Sequence, residues 1–352
     1  MEALLDQFGA NSLMLVSGFG IGGAFGLAAY RSKFCLRAAT VELSEGRFGR
    51  QLSVWLIAFL SALISVQAAI WGGFLDVSMS RQLSTTGSVS GAILGGLLFG
   101  IGMILARGCA SRLLVLSASG NLRAIVTGLV LTLTAQASLR GVLAPLRETL
   151  ATIWTIDGGA ARYLIHLNSE LATPFLVVCG LALTAVLKIG YRKGLSRAEL
   201  LTASCVGIAV FAGWQLTYLI AQSSFEVVSV QSVTFTGPAT DTLMGLVNER
   251  HLPAGFGLGL VPGVFAGAMV MAVLKGEARL QRFGPDIPME RYLFGGILMG
   301  FGSMLAGGCA VGAGLTGGSV LAMTAWVAVF FMWVGAMSTN WVLQRVATLE
   351  LA

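Results

Sequence analysis

Long apolar runs alternate with short polar connections along the whole chain. A helix that crosses a bilayer needs about 17–25 residues, and nine runs approach or reach that length. They are Leu13 to Tyr30, Leu52 to Leu75, Val89 to Ala106, Ala124 to Leu139, Leu171 to Leu187, Leu200 to Ala221, Gly257 to Leu274, Tyr292 to Ala306 and Ser319 to Leu343. The fourth and eighth are short and suit partial spans. The pattern predicts an all-α polytopic membrane protein with about nine spanning helices, forming a single integral membrane domain over residues 1–352.

The polar connections alternate in charge. Arg31, Lys33, Arg37, Arg47 and Arg50 separate the first two runs; Arg107, Arg112 and Arg123 the third and fourth. Lys188, Arg192, Lys193 and Arg197 lie between the fifth and sixth, and Lys275, Arg279, Arg282 and Arg291 between the seventh and eighth. The intervening connections are poorer in bases or balanced by acids: Asp76 with Arg81, and the stretches 140–170 and 226–250. The positive-inside rule then puts the N-terminus outside and the C-terminus inside. Met1, Glu2 and Asp6 offer no basic n-region, so no cleaved signal peptide is expected.

Composition narrows the function classes. Of 352 residues, 56% are hydrophobic and 11% charged, against roughly 25% charged in a soluble domain. That excludes an ordinary soluble enzyme. The net charge of +6 is dispersed between apolar runs rather than gathered in a stripe, so no nucleic-acid partner is expected. The 47 glycines point to close helix packing and to breaks within the membrane. Gly18, Gly22 and Gly26, Gly96 and Gly100, and Gly296 and Gly300 follow small-xxx-small spacing. Gly18, Gly20 and Gly23 match GxGxxG by spacing, but within a spanning helix they do not make a nucleotide loop.

An internal repeat carries more information. Residues 95–110 read GGLLFGIGMILARGCA, and 295–310 read GGILMGFGSMLAGGCA, ten identities in sixteen positions at an offset of 200. A fainter similarity links Val16-Ser17-Gly18 through Gly22 with Val261-Pro262-Gly263 through Gly267. The repeat halves are accordingly placed at about 12–140 and 257–343, joined by 141–256. The third run goes inward and the eighth outward, so the repeats are inverted about a pseudo-twofold axis in the membrane plane. Many secondary transporters share that layout, with their sites at the repeat interface.

Cys109 and Cys309 close the two repeats. Gly108 and Ala110 flank the first, Gly308 and Ala310 the second. The glycine-rich runs after them read as non-helical backbone, which survives at membrane depth only where protein buries it or water reaches it. Recurrence at equivalent positions favours a pair of path-lining thiols over two small packing residues. Cys35 stands in RSKFCLRAA among bases, where a functional thiol and an ordinary loop residue are both open readings. Arg107, Arg112 and Arg31 either attract an anion or anchor helix ends. Cys179 and Cys205 lie in unbroken apolar runs and read as packing residues. Five cysteines without CxxC suggest neither a disulfide framework nor a zinc site. His166 and His251 are isolated, so no metal and no cofactor is expected.

RSKFCLRAA, ARGCASR and AGGCAVGAGLTGG, in that order, resemble the YeeE/YedE family of bacterial inner-membrane proteins. The resemblance runs over nearly the whole chain. It implies an hourglass-like bundle of spanning helices with short re-entrant helices, and functional cysteines at Cys35, Cys109 and Cys309. It also implies uptake of thiosulfate, with relatives linked to selenium metabolism, and a cytoplasmic TusA-like sulfur-carrier protein as partner. Thiosulfate is a dianion, and neutral thiols are weak S–H donors. A row of them beside helix N-termini can pass such an anion along without holding it tightly. Other readings are a transporter of another sulfur or selenium species, a covalent persulfide route, a membrane thiol oxidoreductase, and a structural subunit of a larger complex.

Overall fold

The computed structural model describes Leu5 and residues 7–165, 169–248, 254–282 and 288–349. Met1, Glu2, Asp6, His166, Arg250 and His251 lie outside the described residues. The helices are, in chain order, α1 (Ala10–Ser32), α2 (Leu36–Ser44), α3 (Arg50–Trp71), α4 (Val89–Leu105), α5 (Ala110–Ala118), α6 (Leu122–Arg140), α7 (Ala144–Thr152), α8 (Ser169–Arg192), α9 (Arg197–Ser223), α10 (Thr236–Asn248), α11 (Phe256–Leu274), α12 (Met289–Leu305) and α13 (Met323–Leu349). Arg81–Ser84 forms one further short turn of helix. A π-helical turn, Gly312–Gly317, precedes α13. The only paired strands among the described residues are Gly87–Ser88 and Thr155–Ile156, antiparallel.

Each of the nine apolar runs coincides with a long helix. Eight helical stretches are long and apolar enough to cross a membrane, which makes this a multi-pass membrane protein. The helix α12 has 17 residues and carries Glu290 and Arg291 near its start, so it falls just short by that measure. Polar side chains set several helix starts. Ser196 and Glu199 form a capping box at α9, and Asn121 accepts from the Ala124 N–H at 3.0 Å at α6.

Glycine decides which helices touch. Lipid removes the hydrophobic drive between helices, so contact depends on close van der Waals packing at small residues. In α1, Gly18, Gly22 and Gly26 meet the carbonyls of Phe256, Leu260 and Val264 in α11. In return Gly259, Gly263 and Gly267 meet those of Leu15, Phe19 and Gly23. A methyl on Gly22 would lie 2.4 Å from the Leu260 oxygen. Numbers rise together along both helices, so α1 and α11 are parallel.

The central pair behaves differently. Gly95 packs on Gly302 and Ala306, while Gly295 packs on Gly102 and Ala106. The numbers run oppositely, so α4 and α12 are antiparallel and their C-terminal turns stand at opposite ends. Gly96 and Gly100 lie under the Ala328 and Met332 carbonyls of α13; Gly296 and Gly300 lie under those of Thr127 and Leu131 in α6.

The base-rich connections meet at one end of the bundle. Arg50 donates to Glu199 at 3.0 Å, the Tyr30 hydroxyl to Glu277 at 2.8 Å, Asn121 to Gln281 at 2.7 Å and Asn340 to Ser44 at 2.7 Å. At the other end, Arg162 donates to the Thr85 carbonyl and the Thr324 hydroxyl, both at 3.0 Å.

Candidate functional site

Cys35, Cys109 and Cys309 stand in one recurring local structure. After α1, Lys33 takes a left-handed backbone (φ 55°), and its N–H donates to the Tyr30 carbonyl while that of Phe34 donates to Ala29. After α4, Arg107 does the same (φ 56°): its N–H donates to Ile104, and that of Gly108 to Met103. After α12, Gly307 is left-handed (φ 76°) and Gly308 donates to Ser303. The first two are complete Schellman turns, which satisfy the last helical carbonyls and stop the helix. The third shares their left-handed residue and longer bond.

In each turn the cysteine comes two residues after the left-handed one and opens the next helix. Its carbonyl accepts from Ala39, Leu113 or Ala313, at 3.3, 2.9 and 2.7 Å respectively. Each thiol therefore sits at a helix start, where free backbone N–H groups favour negative charge. Cys35, Cys109 and Cys309 are buried at 7%, 0% and 1% exposure, so bulk water does not screen that field.

The three thiols form two groups. Cys35 and Cys109 face each other closely enough to interact, and the Cys109 Sγ lies 3.3 Å from the Ser111 hydroxyl. Cys309 belongs to the turn at the opposite end of the α4–α12 pair. Its Sγ accepts from the Gly312 N–H at 3.5 Å and lies 3.9 Å from the Thr234 hydroxyl. Gly108, Ala110 and Ala310 are buried beside their cysteines, and Gly308 is half-buried.

The bases divide. Arg112 and Lys33 line a cavity of about 450 Å³ together with Tyr30, Glu277, Arg279 and Gln281. Three cations thus face one carboxylate next to the Cys35–Cys109 pair. Lys275 lies over the Tyr30 ring. Burial pushes its ammonium below the ordinary pKa; Glu277 opposes this, while Arg31 and Lys33 add to it. Arg31 contributes to that crowding without lining the cavity. Arg107 is exposed and its side chain is not among the lining groups. Arg37, two residues after Cys35, has a buried Nε with no hydrogen-bond partner.

All five cysteines are free. Cys179 packs in an apolar cluster with Leu63 and Leu321, and Cys205 is exposed on α9. Ser111 and Gly312 belong to the runs after Cys109 and Cys309 that the sequence marks as breaks, whereas nothing in the sequence singles out Thr234. The helical turn after Cys309 is also one residue longer than the one after Cys109. Left-handed Gly120 follows Cys109 by 11 residues, and left-handed Leu321 follows Cys309 by 12. The π-helical turn takes up the extra residue, as π-bulges do at functional sites.

A family described as sulphur transport matches residues 31–338 of the chain. The thiosulfate transporter TsuA of Escherichia coli (strain K12) is 26% identical over 363 aligned positions, covering 96% of this chain and 98% of that protein. The thiosulfate transporter TsuA of Spirochaeta thermophila is 26% identical over 352, covering 94% of this chain and 100% of that protein.

Proposed function

This chain belongs to the sulphur-transport family, and from that premise we propose that it takes up thiosulfate across the bacterial inner membrane. The observation that carries the reading is the pair of buried thiol stations at helix starts, at opposite ends of α4–α12, in a chain similar over its length to two thiosulfate transporters. The proposed orientation is N-terminus periplasmic and C-terminus cytoplasmic, with the base-rich end inside. Cys309 is then the outer station, Cys35 and Cys109 the inner one.

Desolvating a dianion costs far more than a few kcal/mol, so the path must supply polar partners. Full countercharges along it would hold the anion against release. Protonated thiols with helix N-terminal amides give weak attraction at each step. The anion moves from the outer donors to the inner pair and then into the cavity lined by Lys33, Arg112 and Arg279. Glu277 offsets part of that charge and favours release, to the cytoplasm or to a TusA-like sulfur carrier. No covalent bond to the protein forms, so the protein acts as a transporter and not as an enzyme.

The architecture we propose is an inverted repeat with α1–α6 opposite α9–α13, and with α7 and α8 as the connection. Contact of residue i with j, repeated as j with i, is what a twofold relation produces, and Gly95–Gly302 with Gly295–Gly102 follows it. The helix α2 packs on α3, α4 and α13, whereas α10 packs on α11, α12 and α6. The second half therefore begins at Arg197 rather than near residue 257. The parallel α1 and α11 are not equivalents across an axis in the membrane plane.

The neighbouring thiols Cys35 and Cys109 favour a second reading, a membrane thiol oxidoreductase. One experiment tests both. Proteoliposomes of the full chain are offered thiosulfate, sulfate, sulfite and selenium oxyanions, and uptake and thiol content are followed. Accumulation of thiosulfate with all five thiols intact supports transport. No uptake of any anion, with a disulfide formed during turnover, overturns it in favour of the oxidoreductase.

A further inference from the structure

Residues 224–235 connect α9 to α10 without regular structure; the first part is largely exposed, but Val230, Ser232, Val233 and Phe235 are buried. Hydroxyls fasten the residues just before Thr234. Thr217 donates to the Gln231 carbonyl at 2.7 Å, Ser232 to that of Val210, and Thr316 to that of Val233. Thr234 is held differently. Its hydroxyl points to the Cys309 Sγ, 3.9 Å away. The same oxygen lies where a methyl on Gly312 would come within 2.4 Å. Gly312 thus keeps a space for the hydroxyl, and its own N–H meets the sulfur at 3.5 Å. Thr234 is half-buried, unlike its neighbours Val233 and Phe235, at 0% and 1% exposure.

The segment's place in the fold is matched at the other end, with Phe235 standing where Cys35 stands. The Cys35 carbonyl accepts from Ala39 at the start of α2, and the Phe235 carbonyl accepts from Ala239 at the start of α10. One segment brings a thiol to Cys109; the other brings a hydroxyl to Cys309.

From this geometry we propose that Thr234 is a substrate-contacting, specificity-determining residue of the outer station. Its hydroxyl donates to an oxyanion oxygen while the Cys309 thiol faces the softer terminal sulfur. The ligand class is a sulfur oxyanion with one hard end and one soft end. A hydroxyl is the stronger and harder donor, a thiol the weaker and more polarizable one, so the pair reads the two ends of the anion. Two thiols alone would not. The proposal rests on the transport reading above and adds the orientation of the anion.

The test uses the full chain in proteoliposomes, with labelled thiosulfate and with unlabelled sulfate as competitor. Thr234→Val keeps the shape and loses the donor. Its initial rate at low thiosulfate should fall about tenfold, the scale of a lost hydrogen bond to a charged group. Thr234→Ser should stay within about threefold of wild type, because it keeps the donor. Thr234→Cys makes the outer station resemble the inner one; sulfate, which has only hard ends, should then compete at least about threefold less well against thiosulfate. Should the valine protein fail to fold, as judged by size exclusion in detergent, the serine and cysteine proteins decide. A valine protein within twofold of wild type, or serine and valine equally impaired, or unchanged sulfate competition in Thr234→Cys, overturns the proposal. Wild-type vesicles that take up no thiosulfate overturn the transport reading itself, before any variant is compared.

Discussion

At one end of the α4–α12 pair, Cys109 meets a second thiol, Cys35, and the Ser111 hydroxyl. At the other end, Cys309 meets a hydroxyl, Thr234, and a backbone amide, Gly312. The backbone beneath both is alike: a left-handed residue, then two steps to a cysteine that starts a helix. Their surroundings differ. Lys33, Arg112 and Arg279 line a cavity beside the first, whereas the atoms around the Cys309 sulfur are neutral donors. In the transport reading proposed above, neutral donors take an anion out of water without trapping it, and the cations further on lower its energy as it advances. In the orientation proposed above, that asymmetry gives the path a direction that suits uptake.

The largest effect expected is at the inner station. Cys109→Ala should reduce thiosulfate uptake to background in a protein that still folds, since it removes both the donor and the partner of Cys35. Cys309→Ala should leave measurable uptake, because the Gly312 amide and Thr234 hydroxyl remain. Cys109→Ser keeps a smaller, harder donor and should fall between Cys109→Ala and wild type. Initial rates at matched protein levels in vesicles rank the three. A Cys109→Ala protein with near-normal uptake removes the inner station from the path. A persistent mass increase of one sulfur on Cys109 after turnover replaces the relay with a covalent persulfide step.

Oxidation separates the stations next. Two facing thiols can be joined; a thiol facing a hydroxyl cannot. Diamide should therefore inhibit wild-type uptake, and a reductant should restore it. Peptide mapping should recover the segments around Cys35 and Cys109 cross-linked, with Cys309 unmodified. Inhibition that persists in Cys35→Ser vesicles, measured against their own untreated rate, would assign the effect to another thiol.

A smaller effect concerns the turns themselves. Arg107 holds a left-handed backbone that costs a residue with a side chain roughly 1 kcal/mol, and the matching position holds Gly307. Arg107→Gly should raise the unfolding temperature in detergent or leave it unchanged, and uptake should stay within about twofold of wild type. Arg112→Gln, which removes a cation from the cavity, should slow uptake more. The reverse order would place the anion near Arg107 instead.

These turns also show what the sequence makes legible. The nine runs, the basic connections and the recurrence of Gly-Cys-Ala are written in hydropathy and identity, so the helices and both repeat cysteines follow from them. The shared turn at Cys35 is harder to read, because Lys33 does there what Gly307 does elsewhere and no glycine marks it. Thr234 is harder still. The alternation Ser232-Val233-Thr234-Phe235 resembles a strand, while the partner that gives the hydroxyl its meaning lies 75 residues later. The extra residue of the turn after Cys309 is invisible in the matched sixteen positions, which stop at Ala310.

The smallest effect is the most exacting control. Cys179 and Cys205 are thiols in the same protein but in neither station. Cys179 packs among Leu63, Leu321 and partly buried aromatics, and Cys205 is exposed on α9. Cys205→Ala changes a surface atom and should alter stability by less than about 0.5 kcal/mol. Cys179→Ala leaves a hole of one atom and should cost about 1 kcal/mol. Uptake should be near normal in both, and in the double variant. A membrane-permeant maleimide should label Cys205 first, before uptake declines, because the station thiols are buried. Loss of transport on labelling Cys205 alone would mean that thiol chemistry matters wherever it occurs. Retained transport ties the function to the three helix breaks, where a cysteine differs from Cys205 in its burial and in what stands around it.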